Sequence, residues 1–360
     1  MSWQGILGHD AVAEQFRRRL AQGRLASTFL FVGPAGIGKR TFALRLAQSM
    51  LCTRSTETDL APCGSCPACQ QVLSDSHPDL LVVQKPADRA FIPVETFIGD
   101  REHRRRTGLC HFISLTPAGG KRRIAIINDA DWLNQEGANS LLKTLEEPSP
   151  RAVIILIGTS QQRQLPTIRS RSQVIRFHPL AEEHVAECLI NQGLAESAEQ
   201  ARTMAARADG SLSQALVRAD EATIDFHREL WQGLAQPTID RSVMAKSITA
   251  FIDSAGKETA AKRENLRHVF VTSMEFYRAV ARRRCCVDAS SELDLDQAVE
   301  LACERRTLSA EAATSLVERC VDAFRQVNSN ANLAMLIDAW LCDVAGTSRS
   351  GQPLLNAPLP

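Results

Sequence analysis

The sequence predicts an α/β fold on a parallel sheet, with a phosphate-binding loop and an inserted four-cysteine zinc module, followed by an all-helical half. Three observations predict it. The run Gly33-x-x-Gly36-x-Gly38-Lys39 follows a short apolar segment and opens a helical pattern. Apolar runs alternate with helical patterns to about residue 178 and then cease. Cys52, Cys63, Cys66 and Cys69 cluster at metal-binding spacing.

The elements follow in order. Residues 11 to 22 read as a basic helix, and Phe29 to Val32 as the first strand. A helix runs from Lys39 to about Leu51, with Phe42, Ala43, Leu46, Ala47 and Met50 on one face. The cysteine insert occupies roughly 52 to 72, and Leu80 to Val83 is a second strand. Pro93 opens another helix, and the charge run from Arg101 to Arg106 is placed on a helix as well. Ile124 to Ile127 is the third strand. Asn134 caps a helix carrying Ala138, Leu141, Leu142 and Leu145, which Pro148 stops. Val153 to Ile157 and Val174 to Phe177 complete the strands. Helical pattern follows to about residue 345, and the Gly- and Pro-containing tail from Thr347 to Pro360 is expected to be disordered.

A chain of 360 residues suits two or three domains. Its 44% hydrophobic and 23% charged content is that of a soluble globular protein. A formal charge of +1 and 5% aromatics argue against an autonomous nucleic-acid binder or a stacking platform for single strands. No signal peptide or membrane span is read. Seven of the 11 cysteines scatter through helical patterns as small apolar residues, which suits a reducing cytoplasm.

The loop Gly33, Gly36, Gly38 and Lys39 supplies backbone N–H groups and a helix N-terminus to a phosphate. A working loop places Ser or Thr after the lysine to ligate magnesium. Arg40 stands there, and Thr41 lies about 100° further round the helix. The second magnesium partner is an Asp ending a later strand, where this sequence has Asn128 and then Asp129. In that register both magnesium groups are missing; a one-residue shift would instead make Asp129 the metal acid. Four thiolates from Cys52, Cys63, Cys66 and Cys69 close a tetrahedral site with no open position, so zinc there is structural. An iron–sulfur cluster and free thiols are the alternatives. His9, His103, His111 and His178 show no ligand spacing, and His77 reads as a loop residue before Pro78.

The run Asn139-Ser140-Leu141-Leu142-Lys143-Thr144-Leu145-Glu146-Glu147-Pro148 resembles the segment after the Walker B strand in bacterial clamp-loader proteins of the AAA+ class. The zinc module after the P-loop helix is similar too. Ser170-Arg171-Ser172 resembles that family's Ser-Arg-Cys motif, with Ser172 in place of Cys. Thr159 stands at the sensor 1 position, and Gly210 to Leu216 resembles the sensor 2 helix with Ser213 where motor subunits carry Arg. The resemblance covers about residues 1 to 180.

What the resemblance implies is an AAA+ core over 1–178 with the zinc module at about 52–72, a small helical lid over 179–222, and a helical collar over 223–346. The collar's apolar positions would include Val269, Val271, Met274, Phe276 and Val280, and Leu333, Met335, Leu336, Ile337, Trp340 and Leu341. It implies a non-motor subunit without ATPase or polymerase activity of its own, and weak or absent ATP binding at Gly33, Gly36, Gly38, Lys39, Arg40, Thr41 and Thr159. Arg171 would act in trans on a neighbouring subunit's ATP, or else be a surface arginine among Arg163, Arg169 and Arg176. Partners would be the delta and tau/gamma subunits of a hetero-oligomer, with the sliding clamp and primer–template DNA reached through the complex. The Arg101–Arg106 run is then either a solvated face or a DNA-backbone contact. The rival readings are an active motor subunit of the same loader, a P-loop small-molecule kinase, and a stand-alone zinc nucleic-acid binder. The last two leave the cysteine insert, the 139–148 run or the near-neutral charge unexplained.

Overall fold

The computed structural model describes residues 3–347, except 87, 88, 90, 101, 104, 105, 207, 257, 287–292, 307, 329 and 330. The residues of the expected tail from 348 onward lie outside it. The chain divides into two compact units, Met1–Leu216 and Val217–Pro360.

The first unit contains, in order, α1 (Asp10–Ala21), β1 (Thr28–Val32), α2 (Lys39–Leu51), α3 (Pro67–Leu73), β2 (Leu80–Val83), α4 (Glu95–Ile98), α5 (Gly108–Ser114) and β3 (Arg123–Ile127). A 3-10 turn (Ala130–Trp132) leads to α6 (Gln135–Glu146), β4 (Ala152–Gly158), α7 (Pro166–Arg169) and β5 (Gln173–Arg176). Then come α8 (Glu182–Asn191), α9 (Ala198–Ala206) and α10 (Leu212–Val217). The five strands form one sheet in the order β2-β3-β4-β1-β5, parallel at every pairing.

The sheet is apolar on both faces because helices cover both. Period-two alternation sorts the side chains. Phe29, Phe31, Ile124, Ile126, Val153 and Ile155 pack with Phe16 of α1 and Phe42 and Leu46 of α2. Leu30, Val32, Ala125, Ile127, Ile154 and Leu156 pack on the other face with Phe97, Leu109, Leu141 and Leu145 of α4, α5 and α6. The three central strands β1, β3 and β4 are wholly buried, whereas the edge strands β2 and β5 are only partly so.

One local expectation fails. The described members of the 101–106 run, Glu102, His103 and Arg106, lie in a bend and turn between α4 and α5, not on a helix. Gly99, at φ 81°, ends α4 in the left-handed region. Asp100 then accepts the His103 backbone N–H at 2.7 Å, which folds the chain into a turn. Arg101, Arg104 and Arg105 lie outside the described residues.

The second unit is helical: α11 (Glu221–Ala235), α12 (Arg241–Ser254), α13 (Thr259–Arg284), α14 (Leu293–Leu301), a π-helical segment (Ala302–Arg306), α15 (Ala310–Asn328) and α16 (Leu333–Gly346). Asp220, Asp240 and Asn332 cap α11, α12 and α16 through their side chains. The unit boundary falls ahead of α11. Trp231, Phe270, Phe276, Tyr277 and Trp340 centre its core. Of the apolar positions expected in this helical half, Val269, Phe276, Val280, Leu336, Ile337, Trp340 and Leu341 are internal, while Met335 is 72% exposed. No helix among the described residues is long and apolar enough to cross a membrane.

Candidate functional site

The phosphate loop lies between β1 and α2, at the C-terminal edge of the sheet where open α/β sheets bind ligands. Lys39 is nearly buried, and its ammonium donates to the carbonyls of Gly33, at 2.7 Å, and Pro34. Burial brings its pKa down to about 8, with the charge of Asp131 opposing the shift. Arg40 and Thr41 are both exposed on the outside of α2. The residue in the magnesium-hydroxyl position therefore faces water, and so does the Thr41 hydroxyl next to it.

Residues 211–213, at the start of α10, pack on this loop within the same unit. Leu212 N–H donates to the Gly36 carbonyl at 3.1 Å. A side chain at Gly36 would meet Ser211 Oγ at 2.3 Å and Ser213 Cβ at 2.7 Å, and its φ of 75° is left-handed, so glycine is required on both counts. Ser213 thus packs against the loop itself.

At the end of β3 the chain distributes its polar groups by direction. Asp129 has a φ of 56° and accepts the Lys85 backbone N–H at 3.4 Å, on the β2 side of β3. The phosphate loop follows β1, on the opposite side, so Asp129 turns away from it. Asp131 turns the other way. Its Oδ2 accepts both the backbone N–H (2.8 Å) and the hydroxyl (2.6 Å) of Thr159, and Oδ1 accepts from Gln164. A side chain at Gly158 would sit 2.7 Å from Asp131 Oδ1, which explains the glycine.

Asp131 and His9 are the two residues missed by sequence reading. Asp131 lies two positions beyond the pair inspected for the metal acid. His9 has no ligand spacing to flag it. It is buried, its Nε2 donates to the Ile37 carbonyl of the loop at 2.7 Å, and it meets Phe177 edge-on at 4.9 Å. Burial lowers its pKa, so it stays neutral.

The four cysteines converge. Cys52 caps the C-terminus of α2 and Cys66 the N-terminus of α3. All four sulfur atoms lie within 4.8 Å of one another. Cys52–Cys66 and Cys63–Cys69 are 3.9 and 4.0 Å apart, close to the ~3.8 Å edge of a tetrahedron with bonds of about 2.3 Å. The backbone N–H groups of Cys66 and Cys69 point at Cys63 Sγ (3.3 Å) and Cys66 Sγ (3.4 Å). Burial opposes ionisation of the Cys66 thiol, but donors from Thr53 and Cys69 outweigh it and bring the thiol down to about 5. Burial and the neighbouring sulfurs push Cys69 up to about 12. The module is tied to the start of β3: Lys121 Nζ donates to the Cys52 and Ser55 carbonyls, and Arg122 grips Glu57 with two bonds of 2.6 and 2.9 Å.

Arg171 stands between α7 and β5. Its Nε (2.8 Å) and Nη2 (2.5 Å) both meet Glu146 Oε1, and its Nη1 donates to Thr167 O and Ser170 Oγ at 3.2 and 3.1 Å. The side chain is one-third exposed. Ser172 is half-buried and donates to the Ile168 carbonyl at 2.8 Å, so the position needs a small side chain more than a thiol.

The fold and these motifs define a parallel α/β domain with a glycine-rich loop between β1 and α2, followed by helices. Residues 8–181 match the family model described as "DNA polymerase III, delta subunit". Relatives named DNA polymerase III subunit delta′ are 36% identical in Bacillus subtilis, over 52% of this chain and 52% of theirs, and 37% identical in Pseudomonas aeruginosa, over 41% of each. The tau subunit of Salmonella typhimurium is 30% identical over 60% of this chain and 32% of its own length. The chain spans about half or less of the length of these curated relatives. Its N-terminal half is similar to DNA polymerase III subunits, with the subunits named delta-prime at 36–37% identity.

Proposed function

We propose that this chain is a non-motor subunit of a replicative sliding-clamp loader. It would support assembly and contribute Arg171 to the ATP of a neighbouring subunit. The observation that carries the reading is the state of its own nucleotide site. Arg40 replaces the magnesium hydroxyl and faces water, Asn128 replaces the metal acid while Asp129 turns toward β2, and Ser213 replaces the sensor arginine and packs on Gly36. These three changes strike one chemistry: without metal ligands, charge developing on a γ-phosphoryl has no counter-charge. Thr159, expected at a nucleotide, is bonded to Asp131. Arg171, by contrast, lies on an exposed turn, where an arginine can stabilise charge across a subunit boundary without a working site of its own.

The similarity to tau subunits favours a second reading, an active motor. Purified chain assayed for magnesium-dependent ATP hydrolysis separates the two. No turnover above background is expected. A rate near ~1 per second, ordinary for an enzyme, would establish the motor.

Zinc fits the cysteine cluster on sulfur spacing and on the N–H groups aimed at Cys63 and Cys66. Four thiolates leave no open position, so its role would be to fix the 52–69 loop on α2. The helical second unit is read as the collar that joins the chain to delta and tau/gamma subunits, with clamp and primer–template DNA engaged through the assembly.

A further inference from the structure

The geometry points to Glu146 as the resting counter-ion of Arg171, a residue that sets how readily the arginine is released to a neighbour's phosphate. The inference rests on the trans role of Arg171 proposed above. Glu146 is the last residue of α6, and its carboxylate meets the guanidinium. Two guanidinium nitrogens, Nε and Nη2, converge on the single oxygen Oε1 at 2.8 and 2.5 Å. This is not the two-oxygen fork in which an arginine holds a carboxylate best. Thr167 O and Ser170 Oγ take up Nη1, so all three nitrogens are engaged within the chain.

Both partners remain open to water, the Glu146 side chain being half exposed. Exposed pairs are weak. The arrangement therefore holds the arginine without trapping it. A γ-phosphate brings more negative charge and three acceptor oxygens, and it can outcompete one carboxylate oxygen. When only a diphosphate remains next door, that competitor is gone and the guanidinium returns to Glu146. The carboxylate thus makes the contact depend on the neighbour's nucleotide state, and it lowers futile hydrolysis when the ring is not driven together by clamp and DNA.

The test uses the full chain reconstituted with its motor partners, comparing Glu146→Gln, Arg171→Ala and the double variant. ATP hydrolysis is read without clamp or DNA and again with both. Glu146→Gln should raise the unstimulated rate about two- to fivefold, the range an exposed ion pair can supply. It should leave the stimulated rate near wild type. In the Arg171→Ala background the same change should do nothing, a cancellation that a merely structural Glu146 would not produce. If Arg171→Ala leaves hydrolysis unchanged, the trans role itself is wrong, and this inference goes with it. If Arg171→Ala lowers hydrolysis but Glu146→Gln leaves the unstimulated rate unchanged or lower, or acts equally without Arg171, the arginine role stands and the counter-ion role of Glu146 is overturned.

Discussion

Two charged residues show how single side chains hold this protein together. Asp131 is satisfied by neutral donors from Thr159 and Gln164, which ties β3 to the end of β4. Arg306, in the π-helical segment, is the cationic counterpart. It is nearly buried and donates to Leu234 O at 2.9 Å and Val344 O at 2.6 Å. Those carbonyls lie in the last turns of α11 and α16, where helices leave acceptors unpaired and carry negative dipole charge. Arg306→Met should leave both acceptors buried and unpaired, at a cost of about 1–3 kcal/mol for each group so stranded. Arg306→Lys should recover little, because an ammonium cannot span the two carbonyls as a planar fork does. Urea unfolding of the full chain measures this; an unchanged midpoint in Arg306→Met would show that water replaces the guanidinium.

At the scale of elements, legibility follows how local the determining physics is. All five strands and the capped α6 were readable, because buried parallel strands are plain apolar runs and Asn134 supplies a local cap, accepting Gly137 N–H at 2.8 Å. The cysteine module was readable from spacing, and its four sulfurs do converge. The 101–106 segment was misread because charge alone carries no period, while Gly99 and Asp100 decided the turn. Asp131 and His9 were invisible because their partners, Thr159 and Ile37, lie 28 residues away in each case. The packing of Leu212 on Gly36 is likewise a long-range contact. The cysteine module carries its own test. Metal analysis of the purified chain should give about one zinc per chain, lost in Cys66→Ser, together with a lower melting temperature as the 52–69 loop comes free of α2. A fully folded native protein without zinc would remove the metal from the account.

At the scale of the whole molecule, each unit has its own core, and the second carries a part-buried pair of histidines. His227 and His268 bring their Nε2 atoms to 2.7 Å, and Thr272 Oγ1 lies 3.2 Å from His227 Nε2. One imidazole donates to the other, so the acceptor ring is neutral at Nε2. Burial lowers His227 to about 3, reinforced by His268 and Arg218, and lowers His268 to about 4, reinforced by Arg218. In the unfolded chain both titrate near the ordinary value of 6.5. Above that pH neither state binds these protons, and the stability is fully present. As pH falls below 6.5 the unfolded chain takes up two protons that the folded unit refuses. Stability then drops by roughly 1.4 kcal/mol per pH unit for each histidine, until the folded values near 4 and 3 are reached. Urea midpoints of the full chain, followed by tryptophan fluorescence, should accordingly decline from pH 7 to pH 5. His268→Gln should flatten the decline, since it removes one titrating group while an amide can still bond His227. Should the midpoint hold constant between pH 7 and pH 5, the imidazoles must accept protons inside the folded unit, and the pair would be a hydrated site and not a buried one.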